Sequence, residues 1–155
     1  MAKQFRITLA QVNPTVGDIA GNCAMAQKTW DMAKAQGADL VAFPEMFITG
    51  YNTQDLVMKP AFHTDAIQAI QDLATTCADG PAIAIGGPWV EDGDLYNAYF
   101  ILSGGKIKST VKKHHLPNET VFDEVRLYTS GPVSGPYVVD DLRIGSPICE
   151  DGWHE

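Results

Sequence analysis

The sequence predicts an α/β layered domain, on three observations. Two short runs, residues 39–43 (Asp-Leu-Val-Ala-Phe) and 82–87 (Ala-Ile-Ala-Ile-Gly-Gly), are almost wholly apolar, as strands buried on both faces are. Segments with apolar residues at helical spacing precede each of them. The resulting order of strand, helix, strand, helix, strand is that of a parallel sheet with crossover helices.

The elements come in the following order. Residues 5–10 (Phe-Arg-Ile-Thr-Leu-Ala) alternate as a first strand and enter a loop at Asn13-Pro14. A helix then places Cys23, Ala26, Trp30 and Ala33 on one face, with Asp18 suited to cap its start and Gly37 to stop it. The strand at 39–43 ends at Pro44-Glu45. A second helix carries Phe62, Ala66, Ile67, Ile70, Leu73, Ala74 and Cys77, and leads to the strand at 82–87. The rhythm then changes. Residues 97–102 and 106–112, joined by Ser103-Gly104-Gly105, read as a β-hairpin. A loop rich in Pro and Gly spans 114–135. A second hairpin at 137–139 and 143–144, turning at Asp140-Asp141, leads into residues 142–148, a strand that delivers Cys149 at its end.

Composition removes several classes of function. A chain of 155 residues suffices for one domain with a real core. Net charge is −8 without a basic tract, which disfavours nucleic acid and anionic membranes as partners. No secretory apolar segment follows Met1, and no run is long enough to span a membrane. The three cysteines, Cys23, Cys77 and Cys149, form no CxxC pair, which indicates a reducing cytoplasm and no structural zinc.

Three groups at strand ends can carry chemistry. Cys149 lies in Pro-Ile-Cys-Glu-Asp-Gly-Trp, where a sulfur delivered into a polar loop suits a nucleophile; equally, a lone thiol can be an apolar filler. Glu45 follows an apolar strand, where partial desolvation favours a base, although a surface glutamate would read the same. Lys112 and Lys113 precede His114-His115, and alternation allows only one of the two lysines into a site. The histidine pair has no third ligand at metal-binding spacing. Ser103-Gly104-Gly105-Lys106 lacks phosphate-loop spacing, and neither GxGxxG nor GxSxG occurs.

Taken together, a glutamate after Phe-Pro, a lysine before Leu-Pro and a cysteine after a strand resemble the Glu-Lys-Cys arrangement of the nitrilase, or carbon–nitrogen hydrolase, superfamily. Stretches along the whole chain carry the likeness: Ala10-Gln11-Val12-Asn13-Pro14-Thr15-Val16-Gly17-Asp18-Ile19 with Gly21-Asn22, Phe43-Pro44-Glu45-Met46-Phe47-Ile48-Thr49-Gly50-Tyr51, Leu116-Pro117-Asn118, Val121-Phe122-Asp123-Glu124 and Ile148-Cys149-Glu150-Asp151-Gly152-Trp153. Within the superfamily the chain is most similar to the glutaminase domains of glutamine-dependent NAD synthetases.

The resemblance implies a four-layer α-β-β-α sandwich, of which residues 1–155 hold the N-terminal part. It implies Cys149 as nucleophile, Glu45 as general base, Lys113 as the cationic partner that lowers the thiol pKa, and Glu124 as a second glutamate beside the lysine. Tyr51, Glu119 and Glu150 would contact substrate; Glu119 stands where the family has a tyrosine. The implied reaction is glutamine amide hydrolysis through a glutamyl thioester, releasing ammonia for NAD synthesis. The alternatives are a stand-alone amidase or carbamoylase, and a non-catalytic fragment. No metal or cofactor is implied in this part; ATP and magnesium belong to an absent C-terminal synthetase domain. The implied partners are glutamine, that domain and further copies of the chain, in the cytoplasm.

Overall fold

A computed structural model describes residues 4–154. Strands β1 (Ile7–Leu9), β2 (Leu40–Ala42), β3 (Ala82–Glu91), β4 (Asp94–Ser103) and β5 (Lys106–Lys112) form one sheet in that order. The first three pair in parallel and the last three antiparallel. Helices α1 (Ile19–Ala35) and α2 (Pro60–Thr76) make the two parallel crossovers. The α1 start is capped as expected, with the Asp18 carboxylate accepting from the Gly21 N–H at 2.9 Å.

Period-2 alternation along β3 divides the core. Ile83 and Ile85 face the helices, where they pack with Trp30, Ala66, Ile70, Phe100 and Leu102. Ala82 and Ala84 face the other way, against Tyr137 and Val139 of a second, two-stranded sheet. That sheet is the hairpin β6 (Tyr137–Val139) and β7 (Leu142–Ile144), turning at Asp140-Asp141 as the sequence indicates. The described residues therefore stack a helix layer, a mixed sheet and a small second sheet.

Two expectations need correction. The strand at 82–87 runs on to Glu91 and forms a hairpin with β4 through Asp92-Gly93, whose φ angles of 54° and 91° are those of a tight hairpin turn. Pro88 is tolerated within β3 because β2 pairs only as far as Ala84, leaving that side without a ladder bond to lose. Cys149 does not sit at a strand end. β7 stops at Ile144, and the thiol begins a single 3₁₀ turn, Cys149–Gly152. Gly145-Ser146-Pro147 intervenes, and proline withholds the N–H that a continued ladder would need.

Gly86 allows the segment after β2 to approach closely. A Cβ there would meet Met46 N at 2.2 Å and the Glu45 carbonyl carbon at 2.7 Å. The turn after β2 thus lies directly on the β3 backbone, with Ile48 N donating to Gly86 O at 3.1 Å. Met46, Phe47, Ile48 and Thr49 are buried and anchor it. The buried Asn22 holds it from α1, its amide donating to the Thr15 and Ile48 carbonyls at 2.9 and 3.0 Å.

Candidate active site

This turn lifts Glu45 to the C-terminal end of β2, toward residues from β4, β5 and the short helix α3 (Glu124–Leu127). β5 ends at Lys112, and the two lysines diverge there. Lys112 stays near the surface, paired with Glu91 and lying over the Tyr96 ring at 4.4 Å. Lys113, one residue beyond the strand, is fully buried.

The Lys113 Nζ donates to Glu45 Oε1 at 2.7 Å and to Glu124 Oε1 at 3.0 Å. It also lies 2.8 Å from Glu124 Oε2, at an angle too bent for a hydrogen bond, so that contact is purely electrostatic. Tyr51 donates its hydroxyl to Glu124 Oε1 at 3.0 Å. Burial works against the lysine charge, but Glu45 and Glu124 more than offset it and hold the ammonium above its ordinary pKa. Burial pushes the Glu124 carboxyl up, against the pull of Lys113. Burial likewise raises the Tyr51 phenol, helped by Glu124, so it remains a hydrogen-bond donor at neutral pH.

Cys149 approaches from the far end of the chain. A cavity of about 160 Å³ is lined by Phe43, Glu45, Tyr99, Pro147, Ile148 and Cys149, so the carboxylate and the thiol face one space. The 3₁₀ turn is tied to the segment after Lys113 by the Asp151 side chain. Asp151 accepts the backbone N–H of His114 at 3.2 Å, of His115 at 2.7 Å and of Ile148 at 3.4 Å. Cys149 and Met46, the residue after Glu45, both hold φ of 50°, in the left-handed region.

The thiol departs from expectation. Although the residue is exposed, its sulfur is partly desolvated against the cavity wall; this first and the Glu45 charge second raise its pKa. Lys113 does lower it, as a nearby cation should, but is outweighed by desolvation and by Glu45 together. Iodoacetamide labelling of Cys149 is therefore expected to be slow at pH 7 and still accelerating at pH 9.0, the ordinary thiol midpoint. A rate already level by pH 7, read by peptide mass spectrometry, would contradict this. Cys77, buried and pushed up to about 11, serves as the internal slow standard.

Of the remaining expected residues, Glu150 is half-buried and reaches His154, 3.4 Å away. Glu119 is exposed and does not line the cavity between Glu45 and Cys149. Three residues beside the site were not anticipated. Asn97 donates its amide to Glu45 Oε1 at 2.7 Å, Tyr99 donates its hydroxyl to Phe43 O at 2.6 Å, and Asp151 makes the tie just described. The available signal for Asn97 was an amide in an otherwise apolar strand, where asparagine is disfavoured.

Comparison with known proteins places this geometry among relatives. The carbon-nitrogen hydrolase family pattern matches residues 6–155. The glutamine-dependent NAD(+) synthetase of Rhodobacter capsulatus is 53% identical over 154 residues, covering 99% of this chain and 28% of that protein. Among solved structures, the glutamine-dependent NAD+ synthetase of Acinetobacter baumannii superposes with a TM-score of 0.90 at 32% identity, over 96% of this chain and 28% of that one. The NitN amidase of Neterenkonia sp. AN1 matches at a TM-score of 0.73 and 19% identity, a likeness of fold alone, over 90% of this chain and 55% of that one. The chain thus spans little more than a quarter of the synthetases it matches. No helix among the described residues is long and apolar enough to cross a membrane.

Proposed function

Because the chain belongs to the carbon–nitrogen hydrolase family, we propose that it is the N-terminal part of a glutaminase that feeds ammonia to NAD synthesis. The observation that carries the reading is that Glu45 and Cys149 face one cavity while Lys113 lies 2.7 Å from the same carboxylate. Cys149 is the nucleophile, Glu45 its base and Lys113 the fixed positive charge.

In this reading the resting site holds a thiol. As Sγ attacks the amide carbon, Glu45 takes the thiol proton and passes it to the departing nitrogen. Ammonia leaves and a glutamyl thioester remains. Water, deprotonated by the same carboxylate, then releases glutamate and returns the thiol. Lys113 faces the negative charge that develops on the tetrahedral oxygen. Glu124 is the second acceptor of the Lys113 ammonium and Tyr51 donates to Glu124, so these two act by positioning. Glu150, beside the nucleophile, and Glu119, at the surface, are the candidates for substrate contact. ATP and magnesium belong to the synthetase part outside this chain.

Grafting tests the reading. In place of its matching 154 residues, this chain is joined to the rest of the Rhodobacter capsulatus synthetase. The chimera is expected to release ammonia from glutamine and to form NAD from it. NAD formation from added ammonia, with no hydrolysis of glutamine, would overturn the proposal.

A further inference from the structure

The base has a support outside the expected residues. Glu45 Oε1 receives two donors, the Lys113 ammonium and the Asn97 amide, each at 2.7 Å. Neither reaches Oε2. Asn97 is 1% exposed, and its backbone carbonyl accepts the Lys113 N–H at 2.9 Å. One residue of β4 therefore touches the base with its side chain and the lysine with its main chain. The amide oxygen, Oδ1, is buried without a partner. An apolar residue of the same volume would fill the slot without that unsatisfied atom. Nor can the amide be reversed, since Oδ1 would then face a carboxylate oxygen.

We propose that Asn97 is the positioning residue of the base: its amide commits Oε1 of Glu45 to structure and leaves Oε2 as the atom that takes the thiol proton. A carboxylate held at one oxygen cannot rotate its free oxygen out of the cavity without breaking two hydrogen bonds. The reaction class rests on the proposed function, but the division of the carboxylate does not.

Lys113, Glu124, Tyr51, Tyr128 and Cys149 all interact electrostatically with Glu45. They remain when Asn97 is replaced, so the difference between parent and variant isolates the amide. The test is glutamine hydrolysis by the chimera, with NAD formation from added ammonia as the control for folding. In Asn97→Leu, of similar volume, kcat falls by about tenfold or more while KM for glutamine stays put, as loss of a charge-assisted donor to the base predicts. Asn97→Asp, isosteric, lacking the donor and able to fold if the leucine variant does not, lowers kcat further. An unchanged kcat in the folded variants would overturn the proposal.

A raised KM with an unmoved kcat would reduce Asn97 to shaping the pocket, and the proposal fails. In the 155-residue chain the Asn97 side-chain amide gives an exchange-protected, downfield proton resonance that Glu45→Gln moves, as its 2.7 Å bond to the carboxylate predicts; a freely exchanging amide would overturn the proposal. A chimera inert toward glutamine would sink the proposed function and leave this amide readout standing.

Discussion

In the chimeric synthetase, Cys149→Ala removes ammonia release from glutamine by a factor of about 10⁴ or more and spares NAD formation from added ammonia. Loss of a nucleophile costs rates of that order because the remaining groups have nothing covalent to assist. The residue is exposed, so truncation to alanine opens no cavity in the core. The change in stability is expected to stay within about 0.5 kcal/mol, the range of ordinary surface substitutions. Urea unfolding and an ammonia-coupled assay on the same preparation separate the two effects. Glutamine hydrolysis that survives the substitution would remove Cys149 from the chemistry.

The second large effect is on stability. Lys113→Met keeps the bulk of the side chain and deletes its charge, leaving Glu124, 1% exposed, and the partly buried Glu45 without their common cation. Breaking a buried pair in this way costs about 3–5 kcal/mol. The deficit should depend on pH, and Glu124 sets the sign. Its carboxyl titrates above its ordinary value in the folded chain, so the proton it binds favours folding at low pH and that contribution fades as pH rises. Without Lys113 only the Tyr51 hydroxyl still favours its charged form, and the loss at neutral pH deepens. The variant is thus expected to be least destabilised near pH 5 and most near pH 8. A deficit independent of pH, or below about 1 kcal/mol, would mean that the cluster is solvated and not a buried pair.

Much of this was legible in the chain because it is local. Apolar runs gave β2 and the start of β3, helical spacing gave α1 and α2, and the paired glycines at 104–105 gave the β4–β5 turn. Glu45, Lys113 and Glu124 were placed by short motifs, and the structure sets both carboxylates within 3.0 Å of the lysine. The features that escaped depend on partners distant in sequence. The reach of β3 to Glu91 is set by pairing with β4, and Asp92-Gly93 was a turn signal passed over between two strands of moderate polarity. Asn97 acquires its role from a carboxylate 52 positions away, and Asp151 from backbone groups 36 and 37 positions away. The net direction of the thiol pKa escaped for a related reason: Lys113 lowers it as expected, but desolvation and the charge of Glu45, 104 positions away, raise it further.

The left-handed backbone at Met46 and Cys149 bears on how this protein can be altered. Both positions carry a side chain where glycine would be more comfortable, one directly after the proposed base and one at the proposed nucleophile. The folded chain is therefore under conformational tension at the two ends of its own reactive gap. At Met46, buried in the core, the packing lost would outweigh the relief; at the exposed position 149 selection for thermal robustness alone would drift toward glycine, and the relaxed chain has no thiol. On the proposed function, durability and reactivity thus compete at a single residue, and the strained geometry at Cys149 persists only while turnover is selected for.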